Sequence, residues 1–552
     1  VQAETGRRRR GIAAALGLCV LAACTRIGTQ TPGAAGLHPW TTPDTLRIGL
    51  YEEPDTLNPV VSEEAFASDA FQLIYDGLIR YDDRGRPIPD LALEIPSKRN
   101  GGISPDGKTL VYHLARNVRW HDGVRFTSAD VAFTWRAIMN PANNSPTRDG
   151  YDRIASIETP DAYTVRLRLR EPYAPALYLF RDLGDGSIVP AHLLAKYHDI
   201  NRVAFNAQPV GTGPYVFRSW EHGNEMHFEA NRSYFGGAPK IPHVVFKFIH
   251  DQNTLLSQLE THEIDLYYGV PPYQFALAKN VPGTAIAQTA SADWEHLAFN
   301  TRRPPLDERA VRLALCSALD HTAIYRDIYH GLGTQFPVHF VPDLPWADHS
   351  IAYYPFDPRH ASQLLEAAGW KLGPDGYRYR DGKQLAFSIS TVAGVKPREA
   401  LEVLLQSMWH AVGANVSVKN YPAPQLFEPY GAGGALDTGK TDVSLFTWDN
   451  NTPDPDDQTY IGPDRSPPAG QNVSFYVNRD VGTWEVAAAR SYDPAVRRAL
   501  YVRVQHALID DVPEYVLDWL PEIDAYNVDL HGVRPVPIGS DLWNIASWSL
   551  GP

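Results

Sequence analysis

Hydrophobic and polar positions alternate with period two in one set of segments and recur every three to four residues in another. Alternation predicts strands over residues 45–51, 109–114, 164–169, 215–220, 227–230 and 243–248. Between them the spacing predicts helices over about 69–78, with Gly77 near the end, and over about 253–260. Thr127-Ser128-Ala129-Asp130 forms a capping box ahead of an apolar run, and Ser104-Pro105-Asp106-Gly107 is a turn. Past residue 295 the helical period dominates. Val311, Ala314, Leu315, Ala318 and Leu319 form one stripe after Asp307. Asp357-Pro358 opens a second helix that Gly369 closes, with Ala361, Leu364, Leu365 and Ala368 inward. Leu401, Leu404, Leu405, Met408 and Val412 form a third stripe ending at Gly413, and a strand through Val416 and Val418 follows. Asp493-Pro494 caps a fourth helix, with Val496, Leu500, Val504 and Leu508 on one side. Helices alternating with strands predict an α/β fold.

The N-terminus has a different texture. Arg7 to Arg10 precede an apolar run, 11–23, that ends Leu21-Ala22-Ala23-Cys24. A basic start, a short apolar middle and small residues before the cut describe a secretory signal peptide, 1–23. The run is too short to span a bilayer, which needs about 20 residues. The closing tetrad resembles the lipobox of bacterial lipoproteins, which implies export, lipidation of Cys24 and anchoring to the outer face of the cell membrane. An uncleaved signal anchor and a plainly secreted protein are the alternatives. Residues 24–43 are rich in Thr, Gly, Ala and Pro and read as a flexible tether.

Composition narrows the function. A chain of 552 residues exceeds one small domain and predicts two or three lobes. The formal net charge of −14 repels phosphate and anionic lipid, so nucleic acid is not an expected partner. Of the three cysteines, Cys19 leaves with the signal peptide and Cys24 carries lipid. Cys316 is then alone on an apolar helical face and reads as a buried small hydrophobe.

Several motifs fail on context. Residues 434–441 match the phosphate-loop letters, but a loop precedes them and a strand follows, the reverse of what phosphate binding needs. Residues 449–460 are acidic, yet Asp454 and Tyr460 stand where an EF-hand needs Gly and Glu. The histidines form no His-Glu-x-x-His, and no nucleophile elbow occurs. No catalytic residue, metal ligand or cofactor is expected.

Ordered segments from about residue 45 to the C-terminus resemble the oligopeptide- and dipeptide-binding proteins of ABC importers, the family 5 extracellular solute-binding proteins. Those segments include Pro54-Asp55-Thr56-Leu57-Asn58-Pro59, Ser104-Pro105-Asp106-Gly107-Lys108-Thr109 and Trp120-His121-Asp122-Gly123-Val124. They continue with Thr127-Ser128-Ala129-Asp130-Val131, Gly211-Thr212-Gly213-Pro214-Tyr215, Asn231-Arg232-Ser233-Tyr234-Phe235, Leu297-Ala298-Phe299-Asn300-Thr301 and Leu364-Leu365-Glu366-Ala367-Ala368-Gly369-Trp370.

The resemblance implies an α/β clamshell of the periplasmic-binding-protein type. Its first lobe is strand-rich and discontinuous, 44–295 plus 520–552, and its second is α/β, 296–519. It also implies a monomer that captures peptides between the lobes and delivers them to permease subunits without catalysis. In the family an aspartate in a Trp-containing loop holds the ligand ammonium. The matching loop begins Phe446-Thr447-Trp448-Asp449-Asn450-Asn451, and the anchoring position falls on Asn451, whose amide cannot supply the charge-assisted bond of a carboxylate. Trp448, Asp449, Asn450 and Asn451 are therefore candidate ligand contacts, with Tyr51, Glu53, Tyr215 and Asn300 beside them. The Asn451 departure and the 13 tryptophans leave open a non-peptide solute, an oligosaccharide or metal chelate. An exported hydrolase is a third possibility, and a pure scaffold a fourth.

Overall fold

The computed structural model describes residues 36–62, 64, 66–449 and 454–551. Cys24, the signal segment, most of the tether, Asn450 and Asn451 lie outside them.

Ten strands among the described residues form one sheet. In chain order they are β1 (Thr45–Leu50), β2 (Tyr215–Glu221), β3 (Glu225–Ala230), β4 (His243–Phe248), β5 (Leu266–Tyr267), β6 (Thr284–Phe299), β7 (Ala386–Ser390), β8 (Asn415–Val418), β9 (Val443–Asp449) and β10 (Glu514–Asn527). The spatial order is β8-β7-β9-β6-β10-β5-β1-β4-β3-β2. β1 lies parallel to β4 and β5, and β7 parallel to β8 and β9. The central pairs β9–β6, β6–β10 and β10–β5 are antiparallel. A smaller antiparallel sheet (Thr109–His113, Ile154–Asp161, Thr164–Leu169) stands apart.

Two large apolar cores flank the sheet's middle. One gathers Leu46, Ile48, Tyr75, Trp120, Phe228 and Phe246, and the C-terminal residues Leu530, Leu542 and Trp548 return to it. The other gathers Trp294, Leu297, Trp409, Leu445, Val516 and Trp519. Burying apolar surface twice, at about 25 cal/mol per Å², makes two lobes of one chain. β10 touches both, with Tyr526 against the first core and Trp519 in the second, and β6 pairs along it.

Local signals hold where their chemistry is local. α1 (Ser128–Met139) starts from the Thr127/Asp130 capping box. α2 (Pro358–Ala367) and α3 (Pro494–Asp511) start from Asp357 and Asp493, whose carboxylates accept N–H bonds of the first turn. The helix expected over about 69–78 is Ala67–Ile74. It stops short because the Gly77 backbone presses on the Arg181–Asp182 backbone, where a Cβ would approach to 2.2 Å. The stripe expected on α3 holds at Val504 and Leu508 and in part at Leu500, and fails at Val496. Val496 is exposed, and Arg497, Tyr501, Val504, Gln505 and Leu508 face inward. The cause is Arg497, whose guanidinium donates to Asp454 at 2.6 and 2.7 Å and to the Tyr501 hydroxyl at 3.0 Å. Cys316 is buried in apolar surroundings that push its thiol pKa up, as expected of a packing residue.

Candidate functional site

β6 and β10 pair from Thr284↔Asn527 to Ala290↔Pro521, and the register then breaks until Trp294↔Trp519. Pro521 has no N–H to donate, so the ladder opens there. Ser291, Ala292 and Asp293 leave the pairing and, with Pro521, Glu522 and Ile523, line a cavity of about 330 Å³. Tyr51 beyond β1, Phe66, Ser68, Asp69, Leu183, Gln252, the Tyr268–Pro272 turn and the C-terminal segment at Val536, Pro537, Gly539 and Ser540 complete the wall. Asp449, at the end of β9, reaches it from the other core's side. The volume is at the lower end for small-ligand pockets.

The lining carries four carboxyl groups, Asp69, Asp293, Asp449 and Glu522, and none of the described lining residues is Lys, Arg or His. Asp293 and Asp449 are cross-strand partners. Burial, then the Asp449 charge, pushes the Asp293 carboxyl up to about 8. Burial pushes Asp69 up to about 7, against hydrogen bonds from Ser540 and Tyr268. Glu522 is raised well above the carboxylate range by desolvation and then by Asp541, Asp293, Asp69 and Asp449.

Asp524 and Asp541 stand behind Glu522, 0% and 2% exposed. Asp524 Oδ1 accepts the Gly269 N–H at 3.1 Å, and Asp541 Oδ1 accepts the Val536 N–H at 2.6 Å. The Oδ2 atom of each meets no N–H or hydroxyl among the described residues, and the two carboxyl groups hydrogen-bond to each other. One carboxylate oxygen from each of Glu522, Asp524 and Asp541 lies within 4.8 Å of the other two, a metal-compatible trio that sequence reading did not foresee.

The residues expected at the site divide. Tyr51 and Asp449 line the cavity. Glu53 instead accepts from Trp220 Nε1 at 2.6 Å, His222 Nδ1 at 2.9 Å and the Gly223 N–H at 2.9 Å, which ties it to the β2–β3 hairpin. Tyr215 is wholly buried and its hydroxyl donates to the Ile241 carbonyl, a core role. Asn300 is 3% exposed and its amide donates to the carbonyls of Gly439 and Thr441. Trp448 packs on Phe446 and Tyr460 and sits opposite Trp294, outside the cavity wall. Asn450 and Asn451 fall outside the described residues.

Sequence reasoning missed Asp69, Tyr268, Asp293 and Glu522. The available signal was an acid in an otherwise apolar strand, as in Ala292-Asp293-Trp294 and Glu522-Ile523-Asp524-Ala525. The phosphate-loop letters at 434–441 lead into β9, not a helix, and Lys440 Nζ donates to the Gly433 carbonyl at 2.7 Å.

Opposed segments also meet beyond the cavity. The Tyr173 hydroxyl donates to Asp456 Oδ2 at 2.8 Å, and Arg490 pairs with Glu171. The Tyr492 hydroxyl donates to the carbonyl oxygens of Gly107 (3.0 Å) and Tyr173 (3.1 Å).

The chain is similar to known proteins along most of its length. The profile of the bacterial extracellular solute-binding proteins, family 5 middle, matches residues 86–465. Protein XP55 of Streptomyces lividans is 30% identical over 486 residues, 87% of this chain and 84% of that one. The oligopeptide-binding protein AppA of Bacillus subtilis is 26% identical, covering 92% and 91%. The crystal structure of NikZ from Campylobacter jejuni in complex with Ni(L-His) superposes with a TM-score of 0.76 at 29% identity, covering 92% of this chain and all of that one.

Proposed function

We propose that this chain, which belongs to the family 5 bacterial extracellular solute-binding proteins, captures a small peptide between two lobes and hands it unaltered to the permease of an ABC importer. The observation that carries this reading is the cavity at the β6–β10 crossing. It opens where two strands change partners, and it takes lining from both sides of that crossing. The likeness to AppA, an oligopeptide-binding protein, supports peptide as the ligand class.

The lobes of this reading are 44–295 with 520–552, and 296–519. Tyr51, Asp69, Asp293 and Glu522 belong to the first and Asp449 to the second. A ligand that touches both favours the closed state, because only differential affinity shifts such an equilibrium. The pairs Tyr173–Asp456, Glu171–Arg490 and Tyr492–Gly107 join the same two bodies. The exposed Glu171–Arg490 pair is worth about 0–1 kcal/mol, and the two tyrosine hydroxyl bonds are partly buried. Asp293 and Asp449 take the anchoring role that an amide at Asn451 cannot fill. The protein acts as a monomer, without catalysis, outside the cytoplasm, tethered through lipid on Cys24.

A thermal-shift panel of di- and tripeptides tests the reading, with at least one peptide expected to raise Tm and to be recovered at unchanged mass. Capture of a metal chelate is the second reading, favoured by 29% identity to a protein solved with Ni(L-His) and by the carboxylate trio. A chelate that raises Tm where no peptide does would select it.

A further inference from the structure

The cavity lining carries carboxyl groups and, among the described residues, no Lys, Arg or His. Asp293 and Asp449 stand together at the β6–β9 edge. Asp69 and Glu522 line the β10 side, with Asp524 and Asp541 behind Glu522. Asp524 and Asp541 lie outside the lining and hydrogen-bond to each other, so one of the two is protonated. Among the described residues the Arg398 guanidinium is the cationic charge acting on Asp293, and it is committed to Glu295 and to the Thr447 hydroxyl at 2.6 Å. A buried carboxylate with no donor costs several kcal/mol unless it is protonated or paired.

We infer that the cavity is built for an organic ligand with two positively charged centres, one against Asp293 and Asp449 and the other against Asp69 and Glu522, so that a peptide carrying lysine or arginine in addition to its ammonium is the preferred guest. The inference rests on the peptide-capture reading and names the charge class of its ligand.

The raised carboxyl pKa values agree with this. In the empty cavity the acids hold protons that a cation would replace. A bare metal ion satisfies the geometry less well. It draws its oxygens into a shell of about 2.0–2.6 Å. Here the acids are spread around a wall that also carries Tyr51, Phe66, Tyr268 and Pro271, which suit the carbon chain of an organic cation.

The test is titration calorimetry of the full mature chain at constant pH and ionic strength. The probes are Ala-Lys-Lys, Ala-Gln-Gln, Ala-Glu-Glu, spermidine and calcium chloride. Ala-Lys-Lys is expected to bind about 100-fold more tightly than Ala-Gln-Gln, and Ala-Glu-Glu most weakly. Glu522→Gln should cut the affinity for Ala-Lys-Lys about tenfold more than that for Ala-Gln-Gln, and Asp293→Asn should weaken both peptides about tenfold, because the ammonium of each is held there. Circular dichroism checks that each variant folds, and either one alone suffices. Equal affinity for the lysine and glutamine peptides overturns the inference and leaves peptide capture standing. Binding of spermidine with no peptide bound supports the charge class and removes the peptide. Calcium binding that blocks Ala-Lys-Lys, or no binding of either organic cation, overturns the inference.

Discussion

Asp293 and Asp449 face each other across β6 and β9 as register partners, and their carboxyl groups are hydrogen-bonded. Two carboxyls can bond in this way only when a proton lies between them. The pair is therefore half-neutral in the empty protein, and a cationic ligand should displace the proton.

That displacement gives a pH signature. The groups acting on Asp293 are Asp449 and Arg398, and the wider cavity adds Asp69, Glu522 and Tyr51. With Asp293 up to about 8, Asp69 up to about 7 and Asp541 up to about 6, the native state holds protons that an unfolded chain has lost above pH ~4. These three groups therefore make the empty protein progressively less stable as pH rises from about 4 to about 8, and denaturant midpoints across that range measure it. Binding of a lysine peptide should strengthen over the same interval. At pH 7 it should release protons, read as a heat that changes sign with the ionisation enthalpy of the buffer. Proton uptake would contradict the charge assignment.

Arg80 reports on the first lobe. Its guanidinium sits among Asp76 at 3.0 Å, Asp90 at 3.0 Å and Asp182 at 3.6 Å, all nearly inaccessible. Removing the cation strands three buried acids, so Arg80→Ala should cost about 3–5 kcal/mol in urea unfolding. A loss under about 1 kcal/mol would mean the acids are neutral in the native protein.

The contacts outside the cavity predict a shifted closure equilibrium. Tyr492→Phe with Glu171→Gln deletes the Tyr492 bonds to Gly107 and Tyr173 and the charge on the Arg490 partner. The double variant should keep its Tm within about 2 °C and bind peptide up to about tenfold more weakly, mostly through faster dissociation. Stopped-flow fluorescence separates the two rates.

Much of the architecture was legible because its signals are local. Period-two alternation located β1, β2 and β4, and the Asp357 and Asp493 caps placed two helix starts to the residue. The cavity was less legible. Asp449 was reached through the Trp-containing loop, whereas Asp69, Asp293 and Glu522 come from distant parts of the chain that strand pairing, not a motif, brings to it. Tyr215 and Asn300 lay in recognisable segments, yet their polar atoms serve backbone carbonyls in the interior. The inward face of α3 was legible at Val504 and Leu508 but not at its start, where a buried arginine occupies a position that hydrophobic patterning scores as surface.

The anchor is tested separately. Cys24→Ser should move the protein from the membrane to the soluble fraction with peptide affinity unchanged. Retention on the membrane would point to an uncleaved signal anchor.

The most direct measurement of the central claim is small-angle scattering during a titration with Ala-Lys-Lys, with mass spectrometry of the ligand recovered afterwards. Closure of two lobes on an unaltered guest predicts a radius of gyration that falls and saturates at one ligand per chain, and a recovered tripeptide of unchanged mass. A constant radius at full occupancy, or a cleaved peptide, would contradict it.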